Sequence, residues 1–173
     1  MKLDDYLSIE NIAKINTIEQ SFFSQNTGES ANNCNCNECQ NMCRRCACLG
    51  TPIDILKLCE AGYADRLSMT KWMVGYNWGA VVNGAPVGPI DMMQATIRPD
   101  GSCNFFDKAT GKCELHDLGL KPTEGVWSSC KKDVGNGKPT LPLTLAVALT
   151  WQSSHNLPVW LKIMRYTKSY DKK

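Results

Sequence analysis

Residues 34–62 read CNCNECQNMCRRCACLGTPIDILKLCEAG, a dense run of cysteines that passes directly into a helix start. Six cysteines, Cys34, Cys36, Cys39, Cys43, Cys46 and Cys48, fall within fifteen positions. Their spacing, C-x-C-x2-C-x3-C-x2-C-x-C, is symmetric about the stretch between Cys39 and Cys43. Thiolates separated by two residues can reach one ion, because a tight turn brings their sulfurs to tetrahedral separation. Cys36 with Cys39 and Cys43 with Cys46 both have that spacing. The residues that follow carry helix signals. Thr51 can cap, Pro52 suits the first helical position, Asp54 complements the positive end of the dipole, and Gly62 suits a left-handed terminus. A helix is predicted over 52–61, and its start would offer amide donors and positive potential to nearby sulfur.

On the amino-terminal side, Leu7, Ile12, Ile15, Ile18 and Phe22 recur at three- and four-residue spacing, which predicts an amphipathic packing helix within 1–25. Residues 24–33 have the composition of a loop. On the carboxyl side, a short second helix is expected around 63–69. The stretch KWMVGYNWGAVVNGAPVGPI then favours strands and turns. IDMMQATIRPDG reads as a strand closed by a turn, and NFFDKATGKCELH as two short strands around Thr110 and Gly111. Residues 141–153 suit a buried helix. Residues 159–166, with Pro158 at their start, suit another, followed by a frayed lysine-rich tail. The expectation is one α+β domain over 1–173: peripheral helices and a short β or loop layer around a cysteine-ligated metal site, with a metal-binding core over 34–130 and a helical segment over 139–173.

Net charge is +2, and the apolar and charged fractions are those of an ordinary globular chain. Non-specific nucleic-acid binding gains no support, and Arg44 and Arg45 are read as charge compensation for sulfur anions. No secretory signal is visible at the start, where Asp4, Asp5 and Glu10 interrupt any apolar run. The most apolar segment, 141–151, is short of the roughly twenty residues a membrane helix needs. A cytoplasmic protein is therefore expected, and a reducing cytosol makes clustered cysteines ligands in preference to disulfide partners.

Four of the ten cysteines lie outside the run. Cys103 and Cys113 flank the predicted hairpin, which can return two sulfurs to the first cluster. Cys130 follows in WSSCKK. Cys59, at a helical position between Leu58 and Ala61, reads as a small buried hydrophobe. The metal-ligand candidates are thus Cys34, Cys36, Cys39, Cys43, Cys46, Cys48, Cys103, Cys113 and Cys130. Cys43, Cys46 and Cys48 lead the set. Nine thiols exceed one mononuclear zinc, which favours a cluster or more than one metal. His116, three residues after Cys113, is a candidate for contact with the metal or its ligands. His155 reads as a turn or capping residue.

CNECQNMCRRCAC, CNFF from Cys103 and CELH from Cys113 together resemble the YkgJ-like CxxCxxCC family of zinc- or iron-chelating cysteine-cluster proteins, over roughly 36–130. The continuation DLGLKPTEG is similar to one branch of that family. The chain departs from the pattern in splitting the adjacent cysteine pair into Cys46-Ala47-Cys48, and in carrying extra cysteines upstream. The resemblance implies metal binding and no single reaction.

The expected cofactor is an iron–sulfur cluster, [4Fe–4S] among the options, or zinc, with a carrier, sensor or electron-transfer role. Two other classes stand beside this. One is an enzyme using an open coordination position, with Asp107, Glu114, His116 or Asp117 moving protons. The other is a zinc-stapled module presenting Trp72, Tyr76, Trp78 and Trp127 to a protein partner.

Overall fold

The computed structural model describes residues 8–27, 36–37, 43–72, 81–82, 85–86, 89–127 and 143–170. The chain is α+β. Helix α1 (Ile9–Thr27) is followed by α2 (Pro52–Glu60) and a single 3-10 turn, Ala64–Arg66. Strand β1 (Leu67–Trp72) pairs antiparallel with β4 (Ile90–Ala95), from Leu67 opposite Ala95 to Trp72 opposite Ile90. Between them in sequence lie β2 (Val81–Val82) and β3 (Ala85–Pro86), a separate two-stranded pair. Strands β5 (Phe106–Asp107) and β6 (Lys112–Cys113) form a third. Three helices complete the fold: α3 (Thr123–Trp127), α4 (Leu143–Thr150) and α5 (Leu157–Tyr170). Among the described residues, no helix is long and apolar enough to cross a membrane.

Helix α2 begins as its sequence predicts. Thr51 and Asp54 form a reciprocal capping box and Pro52 occupies the first turn. It ends at Gly62, whose φ of 91° is open to glycine and strained for other residues. Its buried face, Ile53, Ile55, Leu56, Leu58 and Cys59, packs on α5 and on β4. The second helix expected around 63–69 is confined to the 3-10 turn. From Leu67 the chain is extended, because β4 offers a full ladder of backbone partners. At the other end of the chain, α5 runs on to Tyr170, past the fray expected after Tyr166.

Helix α1 buries Ile15 of the expected stripe and packs Ile12 and Phe22 against the cores, but its innermost line is shifted and leaves Ile18 out. Ile15, Glu19, Phe23 and Thr27, four apart, face inward, whereas Ile18 is 53% exposed and Phe22 is half-buried. A buried glutamate is tolerated because Asn156 Nδ2 donates to its Oε1 at 2.7 Å, with the Thr51 side chain also favouring its charge. Phe23 meets Trp127 edge to face, with ring centroids 5.7 Å apart. Together with Leu143, Ala146 and Val147 of α4 they form a small second core beside the main one.

Candidate metal centre

Residues 48–51 form an extended strap that carries Cys48 into the interior. Gln94 grips Gly50 from β4: the Gly50 amide donates to Gln94 Oε1 at 2.9 Å, and Gln94 Nε2 donates to the Gly50 carbonyl at 3.1 Å. The Trp151 indole donates to the same carbonyl at 2.9 Å. The Leu49 amide donates to Glu124 Oε2 at 2.6 Å, and the Glu124 amide returns a bond to the Leu49 carbonyl. Asp54 Oδ2 accepts from the amides of Thr51 and Thr123, tying α2 to the start of α3. Every polar group that this buried strap exposes along Leu49 and Gly50 is thereby answered, as burial requires.

Cys103 and Cys113 come from the β5–β6 region. The Cys103 amide donates to the carbonyl of Cys43 at 2.8 Å, which fastens the hairpin to the end of the cysteine run. Two arginines shape the intervening loop. Arg98 donates to the carbonyls of Asn104 and Phe106, at 2.7 and 2.8 Å. Arg66 donates to Asn104 O and to both carboxylate oxygens of Glu114, and its guanidinium lies 4.0 Å from the centre of the Phe105 ring. So held, the loop turns its own amides back onto its sulfurs. The Phe105 amide donates to Cys103 Sγ at 3.4 Å, the Leu115 amide favours negative charge on Cys113, and the His116 amide donates to the Cys113 carbonyl at 3.1 Å.

Four buried thiols meet at this junction. Cys43, itself 2% exposed, lies beside Cys103, Cys113 and Cys48, and its thiol interacts with all three. Those neighbours, Cys103 first, together with burial hold its proton firmly and push its acidity far below that of an ordinary thiol. The partners move the other way. Cys103 is held below the usual thiol range chiefly by Cys43, helped by the Phe105 amide. Cys113 is held down to about 7, first by Cys43, then by the Leu115 amide and the positive charge of Lys121. Gly125 lets α3 approach: a Cβ there would lie 3.0 Å from Cys48 Sγ and 2.8 Å from Lys121 Cε. The cluster is closed on itself around the Cys43 thiol. As it stands, no group of three or more His, Cys, Asp or Glu among the described residues is arranged to hold a metal ion.

Of the nine candidate ligands, the structure thus brings together Cys43, Cys48, Cys103 and Cys113. Cys46 is exposed, with its thiol pushed up by partial desolvation and then by Cys48, Glu124 and Cys103, so it stands at the rim. Cys36 is half-buried. Cys34, Cys39 and Cys130 lie outside the described residues, as do Tyr76 and Trp78. None of the seven described cysteines is in a disulfide. Cys59 sits in the main core, its thiol pushed up to about 11 by burial.

The polar candidates are mostly occupied elsewhere. Glu114 pairs with Arg66, and Asp107 caps its own turn through Ala109 and Thr110. His116 reaches Cys113 by its backbone, while its Nδ1 is buried with no hydrogen-bond partner. His155 Nδ1 is 2.7 Å from Ser153 Oγ, in a 3-10 turn. Trp127 belongs to the second core, and Trp72 is half-buried against the main one. Arg44 lies over the Phe106 ring, 5.7 Å from its centre. The cation that Cys113 feels is instead Lys121, which lies in DLGLKPTEG with no role read for it there. Gln94, Glu124 and Gly125 were missed for the same reason, since each works by a contact distant in sequence. No protein family, curated protein or solved structure matches this chain.

Proposed function

We propose that this chain binds a metal ion or an iron–sulfur cluster through Cys43, Cys48, Cys103 and Cys113. The observation behind this reading is the burial of four thiols, from three separate stretches of chain, around Cys43. Buried thiols grouped in this way are the protonated counterpart of a thiolate site, because binding a metal releases their protons. The Phe105 amide at Cys103 and the Leu115 amide at Cys113, with Lys121 behind them, stabilise negative charge on sulfur, and a core packed for neutral thiols has no use for that.

Four is the usual ligand number of a structural zinc and also of a cubane cluster, so the excess of thiols in the sequence does not by itself favour iron. Zinc bound here would staple the hairpin to the cysteine run, whereas a cluster would also carry an electron. Membership of the YkgJ-like group belongs to the same proposal, resting on CNFF and CELH, whose cysteines are both in the cluster. So does residence in the cytoplasm, where the described thiols would stay reduced. The test is anaerobic purification followed by metal and acid-labile sulfide analysis. Stoichiometric zinc, or iron with sulfide, lost on replacing Cys48 with Ser, is the expected result. A chain that purifies with neither, and takes up neither zinc nor a reconstituted cluster, would end this reading.

A further inference from the structure

Beside the thiol cluster, α1, α2 and the segment leading into α3 enclose a cavity of about 200 Å³. Lys121 lines it and is 7% exposed. Lysine is almost never buried to that degree without a partner. Yet among the described residues no hydrogen bond or ion pair engages its ammonium. Lys57 of α2 lines the same cavity, likewise without an ion pair. Asn16 and Gln20, one turn apart on α1, present amide side chains that make no hydrogen bond within the described residues. The one carboxylate in the lining, Asp54, already accepts from two amides. Two lysines, an asparagine and a glutamine thus line one small space, with a single engaged carboxylate beside them.

We propose that this cavity binds a small oxyanion, a phosphate or a short carboxylate, held between Lys57 and Lys121 with Asn16 and Gln20 donating. The size agrees, since the space lies below the roughly 300 Å³ at which pockets for larger organic ligands begin. Charge agrees as well, because an oxyanion supplies the acceptors that these lysines do not find among the described residues. The site does not depend on whether the neighbouring thiols hold a metal.

Calorimetric titration of the full chain, as purified and in chloride buffer, with inorganic phosphate and separately with succinate, tests the proposal. One saturable site for at least one of them is expected. Lys121→Met should weaken it about tenfold or more, and Lys57→Met by a smaller factor, each removing one charge-assisted bond. Lys57 is exposed, so its replacement leaves folding intact even if that of Lys121 does not. The proposal is overturned if neither anion binds by about 10 mM, or if both variants bind as the unaltered chain does. It is also overturned if Lys121→Met lowers metal content and leaves anion affinity unchanged. In that case Lys121 serves only as counter-charge to the thiols. Metal content that survives in a variant that has lost anion binding separates the two sites.

Discussion

Glu19 offers the most direct test of the packing, through the dependence of stability on pH. Its carboxyl is 2% exposed, and burial raises its pKa from 4.5 to about 7 against the opposing effects of Asn156 and Thr51. In the unfolded chain the group loses its proton near 4.5, so between the two values the folded state holds more protons than the unfolded one. Stability must then fall as pH rises through that window and level off above it. At about 1.4 kcal/mol for each unit of difference, the loss from pH 4.5 to above 7 comes to about 3 kcal/mol. Glu19→Gln keeps an oxygen to accept from Asn156 Nδ2 and removes the ionisation. Urea denaturation of both chains at several values between pH 5 and 8 isolates the effect, because other titrating groups are common to the two. The difference in unfolding free energy should shift in favour of Glu19→Gln by about 3 kcal/mol across the full window. A difference that stays flat with pH would refute the account of Glu19 as a carboxyl kept neutral by burial.

Other perturbations probe the strap, the cluster and the helix faces. Cys48→Ser should lower both metal retention and melting temperature, whereas Cys46→Ser at the exposed rim should retain the metal, as read by metal analysis and calorimetry. Gln94→Leu strands the Gly50 amide in the interior and should cost about 1–3 kcal/mol in urea denaturation. Gly125→Ala places a methyl against Cys48 Sγ and Lys121, so thiol reactivity with a disulfide reagent should change at Cys48 despite the better helix propensity of alanine. Phe23→Ala should destabilise by about 3–5 kcal/mol, whereas Ile18→Ser should stay within about 0.5 kcal/mol. Equal effects at these two positions would contradict the inward stripe assigned to α1.

Local chemistry was readable wherever a few adjacent residues decide the outcome. The start and end of α2 follow from Thr51, Pro52, Asp54 and Gly62. The β5–β6 hairpin follows from the alternation around Thr110 and Gly111. The α4 helix follows from an apolar run too short for a membrane. Helix α1 shows where such reading stops. Ile18 and Glu19 are neighbours, and the periodicity of apolar residues alone placed the isoleucine inside. Asn156 donates to the carboxylate and Thr51 favours its charge, so the face through Glu19 turns inward instead, and neither residue is close to it in the sequence. Likewise, helical propensity around 63–69 yields to the strand partner that β4 provides from more than twenty positions away.

By itself the sequence determined that this is an α+β chain with a helix springing from a cysteine run, and that Cys103 and Cys113 sit on a hairpin able to reach that run. Spacing carries this much, because turns and caps are built from near neighbours. Only the tertiary structure decided which thiols meet. Cys43 and Cys48 go inward, because the strap at 48–51 is gripped by Gln94, Glu124 and Trp151 and because the Cys103 amide clasps the Cys43 carbonyl. Cys46, between them, is left at the surface. Lys121 also reaches the cluster only through folding, since its burial depends on a glycine at 125 and on the approach of α3. Selection among equivalent thiols is a matter of long-range contacts, and those exist only once the chain has folded.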